Sequence, residues 1–94
     1  MMTEAQLERK VVEFCRGYKL LTYKFSSPAH RGVPDRIILY HGRALFLELK
    51  RPGKKPTKLQ ERELEELRAA GCAAHWADNF ETARDIILKF AVSV

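Results

Sequence analysis

The sequence predicts an α/β fold in which a mixed sheet of about four strands is flanked by helices, in the order α-β-β-β-α-β-α. Three observations support this prediction. Apolar residues recur at helical spacing near both ends of the chain and in its middle. Two runs rich in β-branched and aromatic residues flank a tight turn, as in a β-hairpin. A helical segment separates the third strand from the fourth, which favours a crossover connection. The 94 residues are expected to form one domain, residues 1–94, with a modest core.

The first helix is predicted over residues 3–17. Thr3 suits the N-cap position and Gly17 the stop. Glu4 lies on the apolar stripe of this helix, where a carboxylate is either an acid favoured by the helix dipole or a ligand delivered to a site. Glu8 lies near the same stripe and is the competing candidate for the second role. The stripe consists of Leu7, Val11, Phe14 and Tyr18.

A first strand and a long loop follow this helix. Residues 19–25 alternate weakly and predict the strand, and residues 26–34, with two prolines and a glycine, predict the loop. His30, Arg31 and Arg36 could contact phosphate groups from this region, although isolated basic residues in loops are more often only solvated. His30 is not interpreted as a general base, because nothing in the sequence fixes it near Lys50, a candidate site residue described below.

The next two strands are predicted over residues 35–40 and 44–50, joined by a tight turn. If residues 41 and 42 form the turn, Asp35 lies opposite Glu48; if residues 42 and 43 form it, Asp35 lies opposite Lys50. Either register puts Asp35, Glu48 and Lys50 on one face of the sheet, with directly opposed Cβ atoms roughly 5 Å apart. A three-residue loop would need a bulge to restore this alignment.

Two carboxylates at that distance repel each other, and a divalent cation with oxygen ligands relieves the repulsion. Asp35 and Glu48 are therefore candidate Mg²⁺ ligands, and Lys50 is a candidate for polarising an attacking water. For so short a pattern, a cross-strand ion pair on a solvated edge is the commoner explanation. The surrounding sequence has to decide between the two.

The charge of the chain favours a polyanionic partner. It has 17 basic and 12 acidic residues, a formal net charge of +5. Much of the excess follows the third strand, at Lys50, Arg51, Lys54, Lys55 and Lys58. This cluster predicts contact with a DNA backbone, and the alternative is a solvated, mobile basic loop.

A second helix is predicted from Thr57 to about residue 70, followed by a strand over 72–77 and a last helix over 80–90. Thr57 and Gln60 fit a capping box, which gives Gln60 a structural role. Gln60 also lies at the active-site end of the apolar stripe of this helix, so it is a candidate site residue as well. Trp76 in the last strand is interpreted as a core or interface aromatic rather than a platform for a base.

Several classes of protein are disfavoured. Cys15 and Cys72 are too few for a zinc site and are interpreted as small core residues in a reduced setting. No organic cofactor is expected. No apolar run is long enough to span a membrane, and no basic-then-apolar leader begins the chain. The chain is therefore expected to be soluble and cytoplasmic.

Three segments resemble a known family: SSPAHRGVPDR at residues 26–36, FLELK at residues 46–50 and Leu59-Gln60. They are similar to the virus-type replication-repair nuclease family, VRR-NUC, of the PD-(D/E)xK nuclease superfamily. The resemblance extends from Glu4 to about Ile87, and its most specific part is the run from Gly32 to Arg36. The chain departs from the family pattern at Ala29, near which a glycine is expected.

The resemblance implies a restriction-endonuclease-like core and a Mg²⁺- or Mn²⁺-dependent endodeoxyribonuclease. Asp35, Glu48 and the Leu49 carbonyl would bind the metal and Lys50 would position the water. A glutamate of the first helix, assigned to Glu4, and Gln60 would support them. The residues expected to bind DNA are Arg31, Arg36, Arg51, Lys54, Lys55 and Lys58.

Free-standing members of this size are expected to act as homodimers that cut branched DNA, in the manner of Holliday-junction resolvases. A symmetric dimer would present duplicate sites to a symmetric junction. Two alternatives remain open: a DNA-binding module that no longer cleaves, and the nuclease subunit of a restriction-like system.

Overall fold

The computed structural model of the protein describes residues 1–93. Its elements are α1 (Glu4–Gly17), β1 (Leu21–Lys24), β2 (Arg36–Tyr40), β3 (Arg43–Leu49), α2 (Lys58–Ala69), β4 (Ala73–Ala77) and α3 (Phe80–Val92). The four strands form one sheet in the order β1-β2-β3-β4. The first three are antiparallel and β4 is parallel to β3, so the predicted mixed sheet and element order are confirmed. The predicted bounds differ by no more than about two residues, the usual uncertainty in assigning element ends.

The turn between β2 and β3 sets the register of the hairpin. His41 and Gly42 have φ angles of 49° and 75°, and positive φ at both central residues is what a type I′ turn requires. Tyr40 consequently pairs with Arg43, and the ladder continues to Arg36 opposite Leu47. The first of the two registers predicted from the sequence is therefore confirmed.

The main core lies on one face of the sheet, beneath α1 and α3. Its buried residues include Leu7, Val11, Cys15, Ile38, Leu45, Leu47, Leu49, Ala83 and Ile87. Complete burial of one leucine or isoleucine side chain is worth about 1.5–3 kcal/mol. The leucines of β3 alternate with Phe46 and Glu48, so the strand that anchors the core also presents Glu48 on the opposite face.

α2 packs on that opposite face, mainly against β4. Leu64 of α2 and Ala74 of β4 are buried there. The part of this face formed by β1 and β2 is less covered, and Leu21 and Tyr23 are 52% and 55% exposed. Alternation along the paired strands places four side chains on this open apolar face: Leu21, Tyr23, Ile37 and Leu39.

The end of α1 lies where it was predicted, but the exposure of Tyr18 differs from the prediction. The helix includes Gly17 and is capped by Tyr18, and the residue in the left-handed region is Lys19, with φ of 59°. Gly17 is therefore the last helical residue, as the sequence predicts. Tyr18 was expected on the buried stripe, but it is 60% exposed because the helix ends at this point and the chain turns away.

The two cysteines are free. Cys15 is buried in the core, and this burial raises its pKa to about 11, so the thiol stays protonated and serves as a packing group. Within residues 1–93, none of the helices has both the length and the apolar character needed to cross a membrane.

Candidate active site

Asp35 is fixed at the start of β2 by two hydrogen bonds. It comes immediately before Arg36, which pairs with Leu47 at the end of the β2–β3 ladder. Continuing this register by one residue places Asp35 opposite Glu48. Its Oδ2 accepts a hydrogen bond from the Leu49 N–H at 3.0 Å, and its carbonyl accepts one from the Phe25 N–H at 2.8 Å. The carboxylate is thus held across the hairpin, at the end of β3 that carries Glu48 and Lys50.

Glu48 is a buried carboxylate with an incomplete set of partners. It is 2% exposed, and its Oε1 has no hydrogen-bond partner within residues 1–93. Its Oε2 lies 3.4 Å from the Lys50 Nζ. Burial, together with the charge of Asp35, raises the pKa of Glu48 to about 7, and Lys50 opposes this shift only in part.

Lys50 brings its ammonium into the same buried space. The residue is 9% exposed, and its N–H donates to the Ala77 carbonyl of β4 at 2.9 Å. That backbone bond fixes the point at which the chain leaves β3. The side chain therefore stays beside Glu48 instead of extending into solvent.

The site carries more negative charge than Lys50 can balance. Burial also raises the pKa of Asp35; the Leu49 N–H lowers it, and the charges of Glu4 and Glu8 raise it further. Two converging carboxylates, one with an oxygen that lacks a partner, fit a hard divalent cation such as Mg²⁺ or Mn²⁺. A group of this kind can be buried stably only when its charge is neutralised.

Glu4 and Glu8, the two candidates on α1, have different surroundings. Glu8 is engaged by Arg36 at 3.2 Å and by Lys24 at 3.4 Å. Glu4 is exposed, and its charge raises the pKa of both Asp35 and Glu48. Glu4 is therefore the better candidate for a carboxylate supplied to the site by α1.

Arg36 does not join the site, although it was expected to contact DNA. Alternation along β2 directs its side chain to the face opposite that of Asp35, where the residue is 8% exposed. Its guanidinium donates to Glu8 and to the Thr22 hydroxyl at 3.2 Å each. With its guanidinium buried and bonded in this way, Arg36 joins β2 to β1 and α1, and it offers little surface to a phosphate.

Gln60 forms the capping box that the sequence predicts. Its N–H donates to the Thr57 hydroxyl at 3.2 Å, and its side-chain Oε1 accepts from the Thr57 N–H at 2.9 Å. Gln60 is half-buried, and the side-chain amide group retains its N–H donors. Gln60 therefore takes part in capping α2, and its amide donors are compatible with the supporting role at the site that was also predicted for it.

Comparison with protein-family profiles found no match for this chain. Among curated proteins, "Putative nuclease p44" of Acyrthosiphon pisum secondary endosymbiont phage 1 is 43% identical over 72 residues, which are 76% of this chain and 77% of the phage protein. A solved structure described as "VRR_NUC domain" has a TM-score of 0.84 at 26% identity, covering 95% of this chain and 99% of its own. The chain belongs to the VRR-NUC family. A second solved structure, "VRR_NUC domain protein", shares the fold with a TM-score of 0.76 at 22% identity, covering 95% and 88% of the two chains.

The basic cluster of this VRR-NUC protein lies in an ordered connection between β3 and α2. The Gly53 N–H donates to the Asp78 Oδ2 at 3.1 Å, and the Lys54 N–H donates to the Arg51 carbonyl at 3.0 Å. Hydrogen bonds from Asn79 and Gly53 hold the pKa of Asp78 below its usual value, so it remains an acceptor. Four exposed cations form no ion pair with another described residue: Arg51, Lys54 and Lys55 in this connection, and Lys58 at the first residue of α2. Together they are called the basic loop.

Sequence reasoning about this VRR-NUC chain missed a contact between the loop 26–34 and α2. The His30 Nε2 donates to the Glu63 Oε1 at 2.5 Å, and Glu63 is 7% exposed. Together with Glu66 they offer ligand atoms within 4.8 Å of one another. The available signal was the position of Glu63, three residues after Gln60 on the inward side of α2.

Proposed function

We propose that this chain is a Mg²⁺- or Mn²⁺-dependent endodeoxyribonuclease that hydrolyses phosphodiester bonds in branched DNA. The observation that supports this most directly is the buried Glu48 oxygen without a partner, opposite Asp35 and beside Lys50. Leaving such a group unsatisfied costs stability, and a bound cation removes that cost. The name of the phage relative, "Putative nuclease p44", supports the same class of reaction.

Asp35 and Glu48 would hold the metal, with the Leu49 carbonyl as a third protein ligand. When bound, the metal would lower the pKa of a coordinated water and neutralise charge on the phosphate. Lys50 donates a hydrogen bond to the attacking water and offsets the negative charge that develops on the phosphoryl oxygens. Glu4 and the Gln60 amide orient solvent around these groups.

DNA binding is assigned to the basic loop and to Arg31, whose cations are exposed and form no ion pair with any residue in 1–93. Five cations neutralising about five phosphates give a slope of log K against log salt of roughly −4.5. The cations involved are Arg31, Arg51, Lys54, Lys55 and Lys58. These contacts follow backbone geometry and would confer affinity without reading sequence.

A cleavage assay tests the enzyme. Labelled four-way junction and linear duplex are incubated with the purified protein in Mg²⁺, Mn²⁺ or EDTA. Asp35→Asn and Lys50→Ala are each expected to lower kcat by about 10²–10⁴-fold with intact DNA binding. Glu65→Gln, an exposed acid on α2, serves as the control and is expected to retain full activity.

Metal binding has a separate readout. Mg²⁺ or Mn²⁺ is expected to raise the melting temperature of the wild type, and to do so much less in Asp35→Asn. Tight DNA binding without cleavage in any metal would contradict the enzyme and favour a non-cleaving module. Cleavage that appears only with a partner protein would favour a restriction-like subunit.

We further propose that the active form is a homodimer, with the open apolar face as the contact between the copies. Two of its four side chains are more than half exposed, and covering them removes an unfavourable apolar surface. Two sites related by a two-fold axis suit a four-way junction. Faster cleavage of the junction than of linear duplex is the expected result.

A further inference from the structure

The loop 26–34 is attached to α2 on both sides of Arg31. On one side, His30 donates to Glu63. On the other, Gly32 has a φ of 86° and lies so close to α2 that an added Cβ would stand 2.9 Å from the Leu59 Cγ. Arg31, between these attachments, is exposed and has no ion pair with any residue in 1–93.

Glu63 is carried by α2, where the loop packs against it: an added Cβ at Gly32 would stand 3.3 Å from the Glu63 Cγ. Its side chain is 10% exposed and lies beside Leu64, which is buried against the sheet. A buried carboxylate requires a strong hydrogen-bond donor, and His30 is the donor that reaches it. The helix therefore holds the acceptor in place, and the loop is the element that is restrained.

We propose that Glu63 is a positioning residue: by holding His30 it fixes the loop, so that Arg31 is presented to the DNA backbone next to Asp35. This inference rests on the proposed function, because Arg31 meets a DNA backbone only if the site acts on DNA. A long side chain on an unrestrained loop loses conformational freedom when it binds a phosphate, and that loss weakens binding. The attachment at Glu63 removes part of this loss before DNA arrives.

The sign of the effect separates this proposal from simple electrostatics. Glu63→Leu removes a negative charge near the DNA surface, and charge alone would strengthen binding to a polyanion. The proposal predicts the opposite, a weakening of about tenfold. Glu66→Leu removes a neighbouring carboxylate that makes no hydrogen bond to His30, so it is the matched control and is expected to bind as well as the wild type or better.

Binding is measured with a fluorescent linear duplex in EDTA, at several salt concentrations, by anisotropy. Arg31→Ala is expected to make the slope of log K against log salt less negative by about 0.9, the value for one phosphate contact. Glu63→Leu and His30→Ala are expected to give the same change. Adding Arg31→Ala to Glu63→Leu should then cause no further loss, because both changes remove the same contact.

A second readout needs no DNA. Trypsin cleavage between Arg31 and Gly32, followed by mass spectrometry, is expected to be about tenfold faster in Glu63→Leu and His30→Ala than in the wild type or Glu66→Leu. Glu63→Gln keeps an acceptor and should give an intermediate rate. His30 is at the surface, so His30→Ala keeps the test available if Glu63→Leu does not fold.

The outcomes separate this inference from the proposed function. Wild-type protein that binds DNA, with a Glu63→Leu variant of equal affinity and equal trypsin resistance, overturns the inference alone. Wild-type protein that does not bind DNA overturns both. Binding in EDTA without cleavage in any metal overturns the nuclease and leaves the role of Glu63 standing.

Discussion

Glu48 lies where two requirements conflict. Alternation along β3 places it on the face opposite the core leucines, yet it is only 2% exposed. Removing a carboxylate from water costs more than one ammonium at 3.4 Å restores. The metal-free protein therefore carries a local cost in stability, which a cation would relieve.

This cost depends on pH. Folding raises the pKa of Glu48 from 4.5 to about 7, so between these values the folded state binds more protons than the unfolded chain. The free energy of unfolding therefore falls as the pH rises through this window. In EDTA the wild type is expected to lose about 1–3 kcal/mol more than Glu48→Gln between pH 4.5 and pH 8.

Urea denaturation at the two pH values measures this difference. Equal losses in the wild type and in Glu48→Gln would show that Glu48 does not titrate in this window. Repeating the titration of the wild type in Mg²⁺ is expected to reduce the loss at pH 8, since a cation stabilises the ionised carboxylate.

At the scale of residues, the sequence was sufficient to predict the position of a side chain where a single local rule, such as alternation along a strand, determines it. Alternation placed Asp35, Glu48 and Lys50 together, and the register confirms that placement. The same rule puts the Arg36 side chain on the face opposite that of Asp35. The prediction that Arg36 contacts DNA did not take this into account. Its partner Glu8 lies 28 residues away in sequence, so no local pattern reveals the pair.

At the scale of elements, the hairpin turn determines the geometry of the site. A slip of one residue in the β2–β3 pairing would move Asp35 away from Glu48 and reverse the faces of a strand. Gly42 prevents this, because its φ of 75° is one that side chains with a Cβ rarely adopt. The open space around Gly42 means that this constraint is conformational and not steric.

Gly42→Ala is expected to lower the free energy of unfolding by about 1 kcal/mol through backbone strain. Gly17→Ala is the matched control, because Gly17 lies in α1 with open space around it. That substitution is expected to raise the free energy of unfolding by about 0.5–1 kcal/mol. Urea denaturation of both variants checks the pair, and a change of the same sign in both would contradict the explanation.

Element order and turn chemistry could be predicted because they depend on neighbouring residues. The capping box at Thr57 and the parallel crossover through α2 are examples. The attachment of His30 to Glu63 could not be predicted, since the two lie 33 residues apart and meet only after α2 packs on the sheet. Tyr18 was placed on the buried stripe because helical spacing continues past Gly17, where the helix itself ends.

At the scale of the whole molecule, charge and apolar surface are distributed unequally. The basic loop directly follows Lys50 in the chain and Arg31 lies four residues before Asp35, and the open apolar face lies on the same face of the sheet as Glu48. A homodimer that covers the apolar face would bring two sets of cations onto one assembly. Its affinity for DNA would then exceed that of a single chain through multivalency.

Tyr23→Glu places a charge on the open apolar face and is expected to convert the proposed homodimer to a monomer. Tyr18→Glu is the control, because Tyr18 is equally exposed but lies at the end of α1, outside that face. Light scattering after size-exclusion chromatography measures both masses. A dimer that persists in Tyr23→Glu would assign the contact to another surface.

The β2–β3 hairpin also has a consequence for the order in which the chain folds. Contacts that are local in sequence form early, and an isolated hairpin closes in about 1–10 μs. Asp35 and Glu48 would thus meet before the crossover through α2 brings β4 alongside β3. Their repulsion opposes an early step, so Mg²⁺ present during refolding is expected to increase the folding rate, and stopped-flow refolding with and without the ion would reveal this acceleration.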